Sequence, residues 1–596
     1  MPGSDRRQPR LPFFLPRFPP SVPPRFARAF PPRFLPCLPP HGRHVNRPSP
    51  ALVSQTAARR LPRLPLLLLC AAYTLPGLFG RDPWRNADLA AFGQMLAMAE
   101  GRSSWWAPTL GGVPGDTALV PHWLGAGFIT LLTPALEPAL AARVPFALLL
   151  LATLALVWYS TFHLARTEAA RPVAFAFGGE AGTVDYARAI ADGALLALMA
   201  TLGLLQLGHE TTPEMAQLAA VAMYLYGLAA APYRAPQARL AVVVALPLLA
   251  GSGAPAMALA MGAAGLVVCL RSRLAQVRRF APWVAAASAA AAALALALGA
   301  WHWRAEALQG ALLLPIARQW VWFMWPSWPL ALWTLWRWRA YLSYRHVAVP
   351  LVTVGVALAS NLAMGGSDRA LLLGLPGLAV LAAFALPTLK RSASAAIDWF
   401  SMLFFTLGAT TIWVVYLSMH AGVPAQPAAN IARLAPGFVP RFSWAALAFA
   451  LAGTLAWIAL VRWRTGRHRE ALWKSLVLPA GGVALCWLLV MTLWLPPLDY
   501  ARSPRPWVER VAALVPAGAC IAAPGLARAG VAALEAIGRY GVDAHPAAGL
   551  AQCPYLLLAT RQRATALPPS GAEFVGEVRR PTDPGETTLV YRRAAR

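Results

Sequence analysis

Apolar runs of about 20 residues recur from Leu64 to Pro497, separated by short loops that carry Arg and Lys. Coiled as a helix, such a run spans the ~30 Å hydrocarbon core of a bilayer. In lipid each backbone N–H and C=O must find a partner inside the protein, so runs of this kind fold as packed helices. Only 13% of the residues are charged, against roughly 25% in soluble domains. Mean hydropathy is +0.52. The predicted fold class is an all-α polytopic membrane bundle. About 13 spans are placed near residues 64–80, 142–164, 189–207, 214–231, 238–251, 254–270, 280–300, 317–336, 346–364, 370–388, 397–419, 443–461 and 474–496.

The net charge of +28 suggests nucleic acid at first sight, but its distribution points elsewhere. The basic residues sit in short loops such as "HLARTEAAR", "RSRLAQVRR" and "VRWRTGRHR", the pattern that orients a bacterial inner-membrane protein. The segment 119–133, "LVPHWLGAGFITLLT", is short for a span and holds Pro121 and His122. If it does not cross, the basic loops share one side; if it does, they face outward. We therefore read it as a re-entrant or interfacial helix. The N-terminus is then cytoplasmic and the C-terminus periplasmic. Residues 1–62 are rich in Pro and Arg, cannot build a core, and are expected to be a disordered cytoplasmic tail. Residues 63–497 form the membrane domain, with 81–135 as its first outward loop.

After Pro497, residues 498–596 read as a small periplasmic α/β domain, with strands at "GACIAA", "CPYLLLAT", "EFVGEV" and "TTLVYRR" and a helix after the first. Its two cysteines, Cys520 and Cys553, either pair in a disulfide, which an oxidising compartment permits, or stay as buried thiols.

On the assigned outer face the sequence places Asp82, Asp88 and Asp116 in the first loop. Later come His209 and Glu210, Arg304 and Glu306, Arg318, and Asp368 with Arg369. Ionisable groups at the edge of an apolar bundle are costly and mark function by default. Residues 88–99 have helical apolar spacing and suggest an interfacial helix, with Trp105 and Trp106 at headgroup depth.

The order of these features resembles a known family. A first span is followed by an outward loop with an acid at a helix start, and then by "WAPTLGGVPGDTALVPHW". It is similar to bacterial lipid A aminoarabinose transferases and protein O-mannosyltransferases of the glycosyltransferase-C superfamily. Asp88 matches the second acid of that family's Asp-Glu pair, and Ala87 stands at the first. Asp116 matches the Glu of its Glu-x-Pro motif, and Ala118 stands at the Pro. "AARVPFALLLL" resembles the Arg-Leu-Pro-Ser opening of the next span and keeps Arg143. "SDRALLLGLPGLAVLAA" resembles the late motif that meets the lipid phosphate, at Arg369.

The resemblance implies an enzyme that transfers a sugar from an undecaprenyl-phosphate donor to a lipid A, glycan or protein acceptor. Asp88 and Asp116 would be catalytic. Arg369, Arg318, Arg143, His209, Glu210 and Asp82 would bind substrate or phosphate. The departing phosphate is already anionic and needs charge compensation, which guanidinium supplies. The acceptor needs a base, and a carboxylate whose pKa burial has raised suits that role. No cofactor is required, although Asp88 and Asp116 with water can hold a divalent cation. The competing readings are a flippase or transporter of lipid-linked sugars and a non-catalytic accessory protein of the envelope.

Overall fold

Helix forms in each segment read as a span, but three of these segments are broken. The computed structural model describes residues 49–84, 86–301, 310–466, 471–560 and 571–594, and the chain from Ser49 onward forms one unit. It begins with α1 (Arg63–Thr74). The first loop holds α2 (Ala87–Ala99), a small hairpin of β1 (Thr109–Leu110) and β2 (Val113–Pro114), and α3 (Leu119–Leu132). Next come α4 (Pro138–Ala165), α5 (Thr183–Ala200), α6 (Leu202–Leu207), α7 (Pro213–Ala230), α8 (Ala235–Gly251) and α9 (Pro255–Leu270). The middle of the bundle is α10 (Ala275–Arg278), α11 (Ala281–Ala297), α12 (Gly310–Phe323), α13 (Ser327–Arg337) and α14 (Arg345–Ala363). It closes with α15 (Asp368–Leu372), α16 (Leu375–Ala383), α17 (Arg391–Ala421), α18 (Ala425–Leu434), α19 (Trp444–Thr465) and α20 (Lys474–Leu493).

The breaks have local causes. Thr201 is extended between α5 and α6 and turns its hydroxyl onto the Ala197 carbonyl at 2.7 Å. Pro326 ends the run between α12 and α13, because its ring carries no N–H and disfavours helix at the residue before it. Between α15 and α16 the break falls at Leu373–Gly374, and Pro376 sits in the first turn of α16, where its missing N–H has no intrahelical partner to lose. Six described helices are long and apolar enough to cross a membrane by length and composition: Pro138–Ala165, Ala275–Ala297, Arg345–Ala363, Arg391–Ala421, Trp444–Thr465 and Lys474–Leu493. The other expected spans are helices outside those limits. The architecture is thus a polytopic helical bundle, with a span count below the expected thirteen by this measure.

The central helix is α20, 78% buried over its apolar window, against 11% for peripheral α19. Glycines allow its close packing: a Cβ at Gly482 would lie 2.1 Å from Phe405 of α17. Small residues serve the same purpose in membrane bundles generally.

The expected tail ends earlier than residue 62. Ala51, Val53, Ala58 and Leu61 are buried. The Val173 and Ala181 amides donate to the carbonyls of Ala51 and Val53 at 3.0 and 2.9 Å, and the Leu61 amide donates to Asp192 at 2.9 Å. The stretch "ALVSQTAARRL" supplies enough apolar side chains to be packed, unlike the Pro/Arg run before it. Residues 1–48 lie outside the described residues, as do Arg304 and Glu306.

The C-terminal region opens with α21 (Leu495–Arg502) and α22 (Arg505–Ala512). It continues through β3 (Cys520–Ala522), α23 (Arg528–Ala536), β4 (Gly541–Asp543), β5 (Tyr555–Thr560), β6 (Ala572–Arg580) and β7 (Asp583–Arg593). The sheet order is β4-β3-β5-β7-β6. β3 is parallel to β4 and β5, while β7 is antiparallel to β5 and β6. Cys520 and Cys553 are joined in a disulfide with a sequence separation of 33. Loop-closure entropy makes such a link worth about 4 kcal/mol at most.

This domain is pressed onto the first loop. α23 lies against α2 so closely that a Cβ at Gly93 would meet the Ala532 Cβ at 2.4 Å. Leu89 and Leu110 join the core of the α/β domain. Asp88, Leu89 and every residue from Ala91 to Met98 are buried. The expected interfacial helix is therefore enclosed on all faces, as suits a helix that is apolar all round.

Candidate active site

Several acids and guanidiniums of the loops between helices meet at one end of the bundle. Here α4 and α7 begin and α14 and α20 end. The segment "GHETTPE" between α6 and α7 ties the cluster together, because its successive residues reach two different charged centres.

The first centre is Asp88, whose side chain is 2% exposed. One carboxylate oxygen accepts from Arg81 Nη1 and the Trp84 amide, both at 3.1 Å. The other accepts from the amide and hydroxyl of Thr211 at 2.8 and 2.7 Å. Burial alone would push its pKa up, but Arg81, Arg143 and Thr211 together hold it below the usual carboxylate range. This is the reverse of the raised pKa expected of a base. Arg81 is fastened in turn, with Nε on the Gly77 carbonyl and Nη2 on the His209 carbonyl, each at 2.7 Å. Asp88 is thus a clamp that ties α2, the end of the first span and the 208–214 segment into one piece.

The second centre is Arg369 on α15. Its guanidinium donates to Glu210 at 2.8 Å, to Glu214 at 2.9 Å and to the Thr212 hydroxyl at 3.0 Å. Glu210 is also bonded by Gln206 at 3.2 Å. Burial pushes the Glu210 pKa up, Arg369 opposes the rise, and the charge of Asp88 adds to it. Of Asp88 and Glu210, the carboxyl with the raised pKa is therefore Glu210. Glu214, read from sequence only as the start of a span, is the missed member of the site. Its signal was an acid in the first turn after Thr212 and Pro213, where a helix N-terminus favours negative charge.

Asp116 joins from the other side. Its amide donates to the Gln94 side-chain oxygen of α2 at 2.9 Å, and its carbonyl accepts from the Gln94 side-chain NH₂ at 3.1 Å. Its carboxylate bonds the Ala118 amide at 3.3 Å. Buried His122 lies in the field of both Asp116 and Glu214, although burial, the larger effect, keeps its pKa below the usual value. Glu214, Arg369, Glu210 and Asp88 thus form one charged cluster, and Asp116 shares with Glu214 an influence on His122.

Arg143 enters it from α4, 4% exposed, with Nη1 3.4 Å from the Leu78 carbonyl and Nη2 bonded to nothing among the described residues. It borders a cavity of about 10 Å³ shared with Thr74, His209 and Thr211, room for a single water. Arg318 is exposed on α12. Its neighbour Gln319 contacts Asn361, which bonds the Ser367 carbonyl ahead of Arg369.

Two expected site residues do other work. The His209 ring nitrogens lie 2.6 and 2.9 Å from the carbonyls of Leu205 and Tyr73, and burial brings its pKa down to about 4. A neutral ring has one N–H and satisfies one of the two, so His209 is a backbone brace. Asp82 spends its hydrogen bonds on the C-terminal region, fastening the loop to Arg505 at 2.7 Å and Ser503 at 2.6 Å. Asp499 completes that fastening by accepting from the Asp82 amide and the Trp84 indole, both at 3.0 Å.

Among the described residues no group of three or more His, Cys, Asp or Glu is arranged to hold a metal. Both Asp88 oxygens are already committed to nitrogen and hydroxyl donors, so Asp88 and Asp116 do not fit a shared cation.

No protein-family model and no curated protein matches the chain. Two solved structures match its fold: crystal structures of ArnT from Cupriavidus metallidurans, one bound to undecaprenyl phosphate and one in the apo state. Each is 13% identical to this chain, with a TM-score of 0.57, covering 89% of this chain and 97% of ArnT. Together with its long apolar helices, this gives the chain an ArnT-like fold, that of a multi-pass membrane protein.

Proposed function

We propose that this protein is an integral membrane glycosyltransferase that uses a polyprenyl-phosphate sugar. It would act at the periplasmic face of a bacterial inner membrane, on a lipid A, glycan or protein acceptor, with inversion at the anomeric carbon. One observation carries the reading. In a fold shared with a protein that binds undecaprenyl phosphate, the Arg369 guanidinium is positioned at the bundle's end by two carboxylates and a hydroxyl.

An incoming donor phosphate competes with Glu210 and Glu214 for Arg369, since guanidinium binds phosphate and carboxylate by the same paired geometry. Its binding frees Glu210, whose pKa is already raised. The acceptor oxygen then forms its bond to the anomeric carbon. The bond to the phosphate oxygen breaks with its electron pair, which stays on the phosphate against Arg369. The acceptor proton passes to Glu210. Asp116 orients the acceptor from the α3 side. Arg318 adds positive charge at the rim, and Arg143 adds it from within. Asp88 and Arg81 are positioning residues, since their bonds fix the segment that carries Glu210.

The test is transfer in nanodiscs, with a synthetic polyprenyl-phosphate sugar and envelope lipid as acceptor, read by mass spectrometry. Transfer by the wild type, with loss in Arg369→Ala and Glu210→Ala at unchanged melting temperature, supports the reading. Wild-type transfer by Arg369→Ala overturns it.

A further inference from the structure

We infer that Asn361, near the end of α14, is a positioning residue for Arg369, and that an indole of α12 fixes it in that role. The inference rests on the proposed reading of Arg369 as the group that meets the donor phosphate.

The chain runs from α14 to Arg369 through Gly365, Gly366 and Ser367. Both glycines have left-handed backbone, with φ of +63° and +93°. Two glycines in a row make a permissive link, so this turn does not by itself hold α15 in one place. Asn361 supplies the restraint from a fully buried position. Its backbone carbonyl accepts from the Gly366 amide at 2.8 Å, a closure open to any residue there. Its side-chain NH₂ donates to the Ser367 carbonyl at 2.7 Å, and that bond needs the asparagine.

Chemistry fixes the direction of the amide. The Trp320 indole N–H donates to Asn361 Oδ1 at 2.7 Å. An indole is a donor only, and the Ser367 carbonyl is an acceptor only. A flipped amide would set donor against donor and acceptor against acceptor, so the brace has one pose. α12 also touches the turn directly, since a Cβ at Gly366 would lie 2.8 Å from Ile316. Trp320, Asn361 and Ser367 thus make a chain of bonds across α12 and α14. It ends two residues before the guanidinium that Glu210, Glu214 and Thr212 hold.

Binding of undecaprenyl phosphate to the full chain in detergent, titrated by native mass spectrometry, tests this in a double-mutant cycle. Asn361→Leu keeps a side chain of similar size and makes neither side-chain bond. It should weaken binding about tenfold. In an Arg369→Ala background the same substitution should cost nothing further, because the group it positions is gone. An equal loss in both backgrounds marks a general structural effect and overturns the inference. Wild-type affinity in Asn361→Leu beside weak binding by Arg369→Ala also overturns it and leaves the reading of Arg369 standing. Wild-type affinity in Arg369→Ala overturns that reading, and the inference falls with it. Should Asn361→Leu fail to fold, Trp320→Phe takes its place in the same cycle. It removes the indole N–H but keeps an aromatic ring, and its expected loss is about threefold.

Discussion

Asp88→Asn separates a clamp from a base at the first-loop acid. The amide keeps the side chain's shape but offers one acceptor oxygen in place of two. Facing Thr211, that oxygen leaves an NH₂ against Arg81 and the Trp84 amide, which are donors themselves. Turned the other way, the NH₂ meets the Thr211 amide and hydroxyl. The first pose loses both bonds to Arg81 and Trp84; the second loses the bond to the Thr211 amide, since the Thr211 hydroxyl can turn and accept, and in either pose the Arg81 guanidinium, 3% exposed, loses its counter-charge. Breaking a buried pair from one side costs about 3–5 kcal/mol. Arg81→Met should cost a similar amount, because it orphans Asp88 and the two carbonyls that Arg81 holds. The double variant should recover about 2 kcal/mol of the summed loss, a coupling within the range measured for contacting residues. Thermal unfolding of the purified protein, followed by tryptophan fluorescence and by size-exclusion profiles of heated samples, reads these values. If Asp88→Asn melts with the wild type and only transfer is lost, Asp88 is a reacting group and the clamp argument fails.

The Asp88 pKa is depressed on folding, so its stabilisation is present above the ordinary value of 3.8 and is lost as pH falls through the lowered one. Acid titration of stability should show that loss in the wild type and not in Asp88→Asn. Glu210, with its pKa raised, should give a transfer rate that climbs as pH rises through that value, and Glu210→Gln should remove the climb along with most of the rate. Cys520→Ser or Cys553→Ser should lower the stability of the α/β domain by up to about 4 kcal/mol, read by limited proteolysis of residues 498–596. Gly93→Val should push α23 off α2, because even one added carbon meets Ala532 at 2.4 Å. Hydrogen exchange should then rise in both helices.

Much of this arrangement was legible because the chain is sparing with acids: it has 24 Asp and Glu in 596 residues. Each one outside the basic loops therefore carried information, and Asp88 does lie in the field of Glu210, which is bonded to Arg369. What spacing could not convey was who pairs with whom. Arg81 and Thr211 are ordinary loop residues until the fold brings them to Asp88, and they turn an expected base into an anchored anion. Glu214 was hidden in an apolar run. Asp82 and His209 looked like site residues because sequence shows exposure to a loop and not the direction a side chain takes within it. The burial of α2 was readable in principle, since "LAAFGQMLAMA" has no polar face apart from Gln94. Recognising it required knowing that a partner helix, α23, arrives from more than 400 residues away. Strand β4 was missed because three residues flanked by turns leave no alternating pattern. The broken spans were missed because continuous hydropathy does not register a single extended threonine or a proline.

A structure of the full chain in nanodiscs with undecaprenyl phosphate, at a resolution that shows side chains, bears most directly on the account. The lipid phosphate should lie about 3 Å from the Arg369 guanidinium, with Glu210 and Glu214 released from it. A phosphate bound elsewhere while Arg369 still grips both carboxylates would contradict the account.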